Sequence, residues 1–144
     1  MIICYAVSER DQDLALKNVK WWNELGGCKG HQVLFCWDQR VTTPNRQAIE
    51  SELRSAFDYV HLLPAGAIVD GWPEGANYMF RICTAWLSMR SRDIPFFMWM
   101  EPDAIPLKEG AFDAIQAEYV AAKKPFMGDL VRVPDVPTHM SGIG

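Results

Sequence analysis

The chain opens on six apolar residues, Ile2 to Val7, and then breaks into the polar run Ser8-Glu9-Arg10-Asp11. Six residues is the length of a strand. Beyond the turn the period changes: Ala15, Val19 and Trp22 recur at i, i+4 and i+7, the spacing of one helix face. Gly26-Gly27 ends that helix, because glycine readily adopts the left-handed backbone of a helix terminus. Gln32 to Trp37 predicts a second strand, ending at Asp38. Thr43-Pro44 predicts a helix start, a capping hydroxyl followed by proline in the first turn, with Ile49, Leu53 and Ala56 on the buried face. Tyr59 to Leu63 is a third, shorter strand.

Pro64 to Gly75 has no apolar period and carries Gly66, Gly71, Pro73 and Gly75, so it is expected to be a surface loop. A helix from about Ala76 to Arg90 follows, apolar most of the way round and therefore expected to be buried, except for a polar stripe of Asn77, Arg81, Thr84 and Ser88. Phe96 to Met100 predicts a fourth strand and runs into Glu101-Pro102-Asp103. After a turn at Pro106, Phe112, Ile115, Tyr119 and Ala122 mark one face of a last helix. Pro125-Phe126-Met127 reads as a short strand, followed by a proline-punctuated stretch to Pro137 and the tail Thr138 to Gly144.

Strands alternating with helices, and strands apolar along their whole length, predict an α/β fold: a Rossmann-like, mostly parallel sheet with helices on both faces. The 144 residues suffice for one core, so residues 1–144 are expected to form one domain. In such sheets ligands sit beyond the carboxyl ends of the strands. That places Ser8-Glu9-Arg10, Asp38 and Glu101-Pro102-Asp103 on one candidate rim.

Composition narrows the function. A net charge of -4 gives no general attraction to nucleic-acid backbones, and no local basic patch replaces it. Cys4, Cys28, Cys36 and Cys83 form neither a CxxC pair nor a zinc-spaced cluster, which predicts reduced thiols and a cytoplasmic setting, with Cys4 and Cys36 as small core residues. The first apolar run lacks a basic leader, and neither it nor residues 94–100 approaches the roughly 20 residues of a membrane span. Neither a signal peptide nor a span is expected.

Glu101 and Asp103 flank a proline that biases its predecessor toward extended backbone, which favours projecting both carboxylates to one side. Two hard oxygen ligands on a strand tip suit Mg²⁺ or Mn²⁺ when a ligand diphosphate supplies the rest of the shell. A polar surface turn is the alternative. Trp72 and Trp99 are both candidate sugar-stacking rings. Trp99 is expected to pack in the sheet core, which leaves Trp72, in the glycine-bearing loop, as the better candidate. His31 and His61 lie in or beside strands and are expected to be structural.

The run Gly71-Trp72-Pro73-Glu74-Gly75-Ala76-Asn77, the helix after it, and Phe96-Phe97-Met98-Trp99-Met100-Glu101-Pro102-Asp103-Ala104-Ile105-Pro106 resemble the core of GT-A-fold glycosyltransferases. Within that family the segment resembles glycosyltransferase-like proteins, some of them encoded by bacteriophages. The element order matches over nearly the whole chain, the specific motif only over residues 71–106. Glu101 stands where the first Asp of the family's Asp-x-Asp motif usually is.

The resemblance implies transfer of a sugar from a nucleoside diphosphate donor, such as a UDP-sugar, with Mn²⁺ or Mg²⁺. It implies Asp103 as direct metal ligand and Glu101 as metal or ribose ligand, both in the catalytic centre. Ala6 and Ser8 would lie against base and ribose, and Asp38 would bond to either. Asn77 would reach the base and Arg81 the diphosphate, with His139 as third metal ligand. The chain stops soon after His139, where the family places its acceptor site, so the acceptor part is expected to be missing. The acceptor is open; a modified DNA base finds no support in the acidic charge. Two rivals remain. One is an incomplete GT-A-like binding or assembly module. The other is a sugar-phosphate nucleotidyltransferase, disfavoured because Ser8-Glu9-Arg10-Asp11 lacks the glycines of that signature.

Overall fold

A computed structural model of the chain describes residues 1–66, 74–90, 96–125, 127–128, 130–131 and 139–140. Strands and helices alternate as β1 Ile2–Val7, α1 Gln12–Glu24, β2 Gln32–Trp37, α2 Thr43–Ala56, β3 Tyr59–Pro64, α3 Glu74–Ser88, β4 Phe97–Met100 and α4 Ala111–Ala122. The first four strands form one parallel sheet in the order β3-β2-β1-β4. The chain steps outward from β1 to β3, then crosses to the other edge of β1 for β4. That reversal opens a crevice beyond the carboxyl ends of β1 and β4. Leu130–Val131 (β5) and His139–Met140 (β6) make a separate antiparallel pair. Of the short strand expected at 125–127, Phe126 lies outside the described residues.

Alternation along the strands sorts the core into two layers. Ile3, Tyr5 and Val7 join Val33, Phe35, Trp37, Met98 and Met100 against α1, α2 and Phe112 of α4. Ile2, Cys4, Leu34 and Cys36 face the opposite way, onto Cys83 and Leu87 of α3. Both faces are covered, which is why the strands read as unbroken apolar runs. Trp22 is the hub of the first layer, with Tyr5, Phe57 and Phe112 around it at ring-centroid distances of 4.9, 5.8 and 5.6 Å. All four cysteines are free and buried. No helix among the described residues is long and apolar enough to cross a membrane.

Two local expectations need correction. Helix α3 is not buried all round: only Cys83 and Leu87 are fully covered, and Phe80 is exposed. It lies over one face of the sheet, so only the stripe nearest β1 and β2 is fully covered, while Tyr78, Met79, Ile82 and Trp86 are partly buried beside it. Helix α2 takes Thr42, not Thr43, as N-cap, and the Thr42 hydroxyl bonds to Gln12 Oε1 instead of capping.

The end of α1 shows why two glycines stand there. Gly26 and Gly27 have φ of 96° and 80°, and the Gly27 amide closes onto the Trp22 carbonyl at 2.9 Å. A Cβ on Gly27 would also lie 3.1 Å from the Ala56 backbone oxygen, which accepts the Cys28 amide. Gly27→Ala is therefore expected to lower unfolding free energy in urea by about 1–2 kcal/mol, the cost of a left-handed backbone for a residue with a side chain. An unchanged midpoint would show that the turn relaxes freely.

Candidate functional site

A cleft of about 280 Å³ lies beyond the carboxyl ends of β1 and β4. Its size is at the lower edge of the roughly 300–1,000 Å³ of small-molecule sites, so a nucleotide-sized ligand would extend out of it. The end of β1 contributes Ala6 and the turn from Ser8 to Asp11; the end of β2 contributes Asp38 and Arg40. Tyr78 and Met79 of α3 form one wall, and Trp99, Glu101, Pro102 and Asp103 another. The β1 turn is fixed locally: the Asp11 amide donates to the Ser8 carbonyl, and the Ser8 hydroxyl to the Asp11 carboxylate.

Asp38 is buried beside Arg40. The Arg40 amide donates to its Oδ1 at 2.8 Å, Nε to both oxygens at 3.2 Å, and Nη2 to Oδ2 at 2.6 Å. The Arg40 side-chain bonds hold the Asp38 carboxyl below its ordinary range against the opposing effect of burial. Glu9 stands 3.7 Å from Arg40 Nε. The carboxylate expected to reach a base is thus already one half of an ion pair.

The acidic turn is held from beneath. Asn18, 3% exposed in the middle of α1, donates from Nδ2 to the carbonyls of Pro102 at 3.1 Å and Ala104 at 2.9 Å. Pro102 is buried between them, while Glu101 and Asp103 are exposed on either side of it. One amide group therefore fixes the backbone that carries both carboxylates. Tyr5 lies below and donates to the Ala15 carbonyl at 3.3 Å. Burial keeps its hydroxyl above its ordinary range, aided by the negative charges of Asp11 and Asp103.

Trp99 packs against the edge of the second core layer, as expected, but is not enclosed by it. It is half-buried and lines the cleft, its Nε1 donating to Glu101 Oε1 at 3.3 Å. Among the described residues the Asp103 carboxylate takes part in no hydrogen bond or ion pair.

Of the residues singled out from the sequence, Ala6, Ser8, Asp38, Glu101 and Asp103 meet at this cleft. Asn77 and Arg81 do not: both are exposed on α3, which lines the cleft with Tyr78 and Met79 instead. Thr84 and Ser88 of the same stripe bond to carbonyls of their own helix. His139 pairs through its backbone with Val131, and its side chain lies outside the described residues, as does all of Trp72. Asn18 and Arg40 were missed. Each had a signal: a polar residue within an apolar helix stripe, and an arginine two residues after a strand-end aspartate.

Among the described residues no three His, Cys, Asp or Glu side chains converge closely enough to hold a metal ion. The acidic turn still suits a hard cation, as two carboxylates that a ligand's phosphates and water would complete. A second cavity of about 180 Å³ sits at the other end of the sheet, before β2, lined by Gly26, His31, Lys108 and Asp113. It is remote from these groups. Neither models of known protein families nor the sequences of curated proteins match the chain.

Asn18→Ala is expected to cost about 1–3 kcal/mol in urea unfolding, because two carbonyls lose a buried donor. A loss below about 0.5 kcal/mol would show that the turn does not depend on it. The lowered Asp38 value carries a pH signature. Stability from this pair is complete above the ordinary carboxylate range and is lost as pH falls through the lowered folded value. In Arg40→Met the Asp38 midpoint, followed by NMR, should rise, and the stability that wild type loses in acid through this pair should be missing already at neutral pH, so that the acid-dependent loss shrinks. An unmoved midpoint would refute the pairing.

Proposed function

We propose that the chain is a metal-dependent glycosyltransferase that takes a nucleoside diphosphate sugar into the β1–β4 cleft, with Mn²⁺ or Mg²⁺ at the acidic turn. The observation that carries this reading is the turn itself: Glu101 and Asp103 at the mouth of the topological switch point, on a backbone pinned by Asn18. The resemblance to the GT-A family over residues 71–106, which includes this turn, supports the same reading.

Charge supports the need for a cation. Among the described residues, five carboxylates (Glu9, Asp11, Asp38, Glu101 and Asp103) and two guanidinium groups (Arg10 and Arg40) line the cleft, a formal excess of three negative charges. A diphosphate entering alone would be repelled. A divalent ion held by Asp103, with Glu101 as its neighbour, would offset that excess and the charge left on the departing diphosphate.

The chain's own residues then bind and orient. Ala6 and Ser8 border the base and ribose, and at the β2 end the ligand meets the Asp38–Arg40 ion pair in place of a lone carboxylate. Tyr78 and Met79 wall the cleft on the α3 side. Asn18 keeps the Asp103 carboxylate at one height above β1, so that the donor's diphosphate is met by a fixed ligand.

Calorimetry with UDP and Mn²⁺ checks this. Binding is expected only with metal present, and Asp103→Ala should weaken it by more than the roughly 10–100-fold that loss of a metal's outer partners costs. Equal binding by the variant, or binding independent of metal, would sink the proposal. Release of UDP from a UDP-sugar, measured on the same protein, separates turnover from binding alone.

A further inference from the structure

The cleft contains an aromatic ring joined to one carboxylate of the acidic turn, and the nucleotide and its cation do not account for the ring. Trp99 and Glu101 are two apart at the end of β4, so their side chains leave the same side of the strand, whereas Met98 and Met100 fill the other face. Phe80 meets the Trp99 ring edge-on, with centroids 5.3 Å apart and planes at 76°, which braces the indole from α3. The indole Nε1 in turn engages Glu101 Oε1 at 3.3 Å. Among the described residues Glu101 Oε2 accepts no hydrogen bond.

On the reading that this cleft takes a nucleoside diphosphate sugar, we propose that Trp99 and Glu101 form the platform for its sugar ring, with Trp99 under the ring and Glu101 at its hydroxyls. A pyranose has an apolar face of C–H bonds and a rim of hydroxyl donors. A flat indole matches the first and an ionised carboxylate accepts from the second. A nucleobase also stacks, but it carries few donors for a carboxylate, and its expected place is across the cleft at the ends of β1 and β2. The indole bond also divides the labour of the turn: Glu101 is drawn toward the sugar, while Asp103 has no competing partner among the described residues and is left to the cation.

The test compares UDP with the tightest-binding of UDP-glucose, UDP-galactose and UDP-N-acetylglucosamine, by calorimetry in Mn²⁺, on wild type, Trp99→Leu and Trp99→Phe. Thermal melts confirm that the variants fold. Trp99→Leu should weaken the nucleotide sugar about tenfold and UDP less than twofold, and Trp99→Phe should recover most of the loss because it restores a flat face. Equal losses for UDP and the nucleotide sugar would place the ring under the base and overturn the proposal, as would no loss for either. A Trp99→Phe variant no better than Trp99→Leu would overturn the stacking role. Wild-type protein that binds UDP with Mn²⁺, but no UDP-sugar more tightly, refutes the platform alone. Failure to bind UDP at all removes the functional reading as well.

Discussion

Strand β1 is hydrogen-bonded on both edges, to β2 and to β4, and covered on both faces, so that none of its six side chains is more than 4% exposed. No side chain of β1 is available to a ligand except near its carboxyl end, where the pairing stops and the chain must turn. Because β2 and β4 are reached in opposite directions from β1, their following segments diverge there and leave a cleft. The position of the cleft is thus a consequence of strand order, and among the described residues every charged one that lines it enters from the segment after a strand.

A cleft between diverging loops has no rigidity of its own, and the polar contacts around it supply that. Asn18 reaches up from α1 to two carbonyls of the acidic turn, and Arg40 closes on Asp38. The two differ in kind. The Asn18 bonds are neutral, one buried and one part-buried, so they act at any pH and their loss leaves carbonyls without this donor. The Asp38–Arg40 pair is part-exposed and ionic, so it weakens in acid and with salt.

Much of the fold was legible because apolar period and length are set by the layers themselves. A strand covered on both faces must be apolar throughout, and the turns after Val7, Trp37 and Met100 must be polar. Partners were harder to read. Helix α3 is apolar nearly all round, yet one face of a four-stranded sheet covers only the stripe through Cys83 and Leu87. Trp99 lies in an apolar strand, but at its end, where the layer thins and a large ring reaches the cleft. Asn77 and Arg81 occupy a helix next to the site but on its outer side, a rotation of the helix that sequence spacing does not set. Asn18 was visible as a polar residue in the Ala15–Trp22 stripe, although its partners, more than 80 positions away, were not.

The acidic turn, the pinned backbone beneath it and the negative cleft are the basis of the proposal that the site takes its nucleotide together with a cation, and on that proposal the indole–carboxylate pair would give the sugar its place. A crystal of the protein soaked with Mn²⁺ and UDP, with anomalous scattering recorded at the manganese edge, tests this most directly. A single manganese peak bound by the Asp103 carboxylate and the UDP phosphates, inside the β1–β4 cleft, is the expected result. Manganese and nucleotide bound elsewhere, or UDP in the cleft with Asp103 left unliganded, would contradict it.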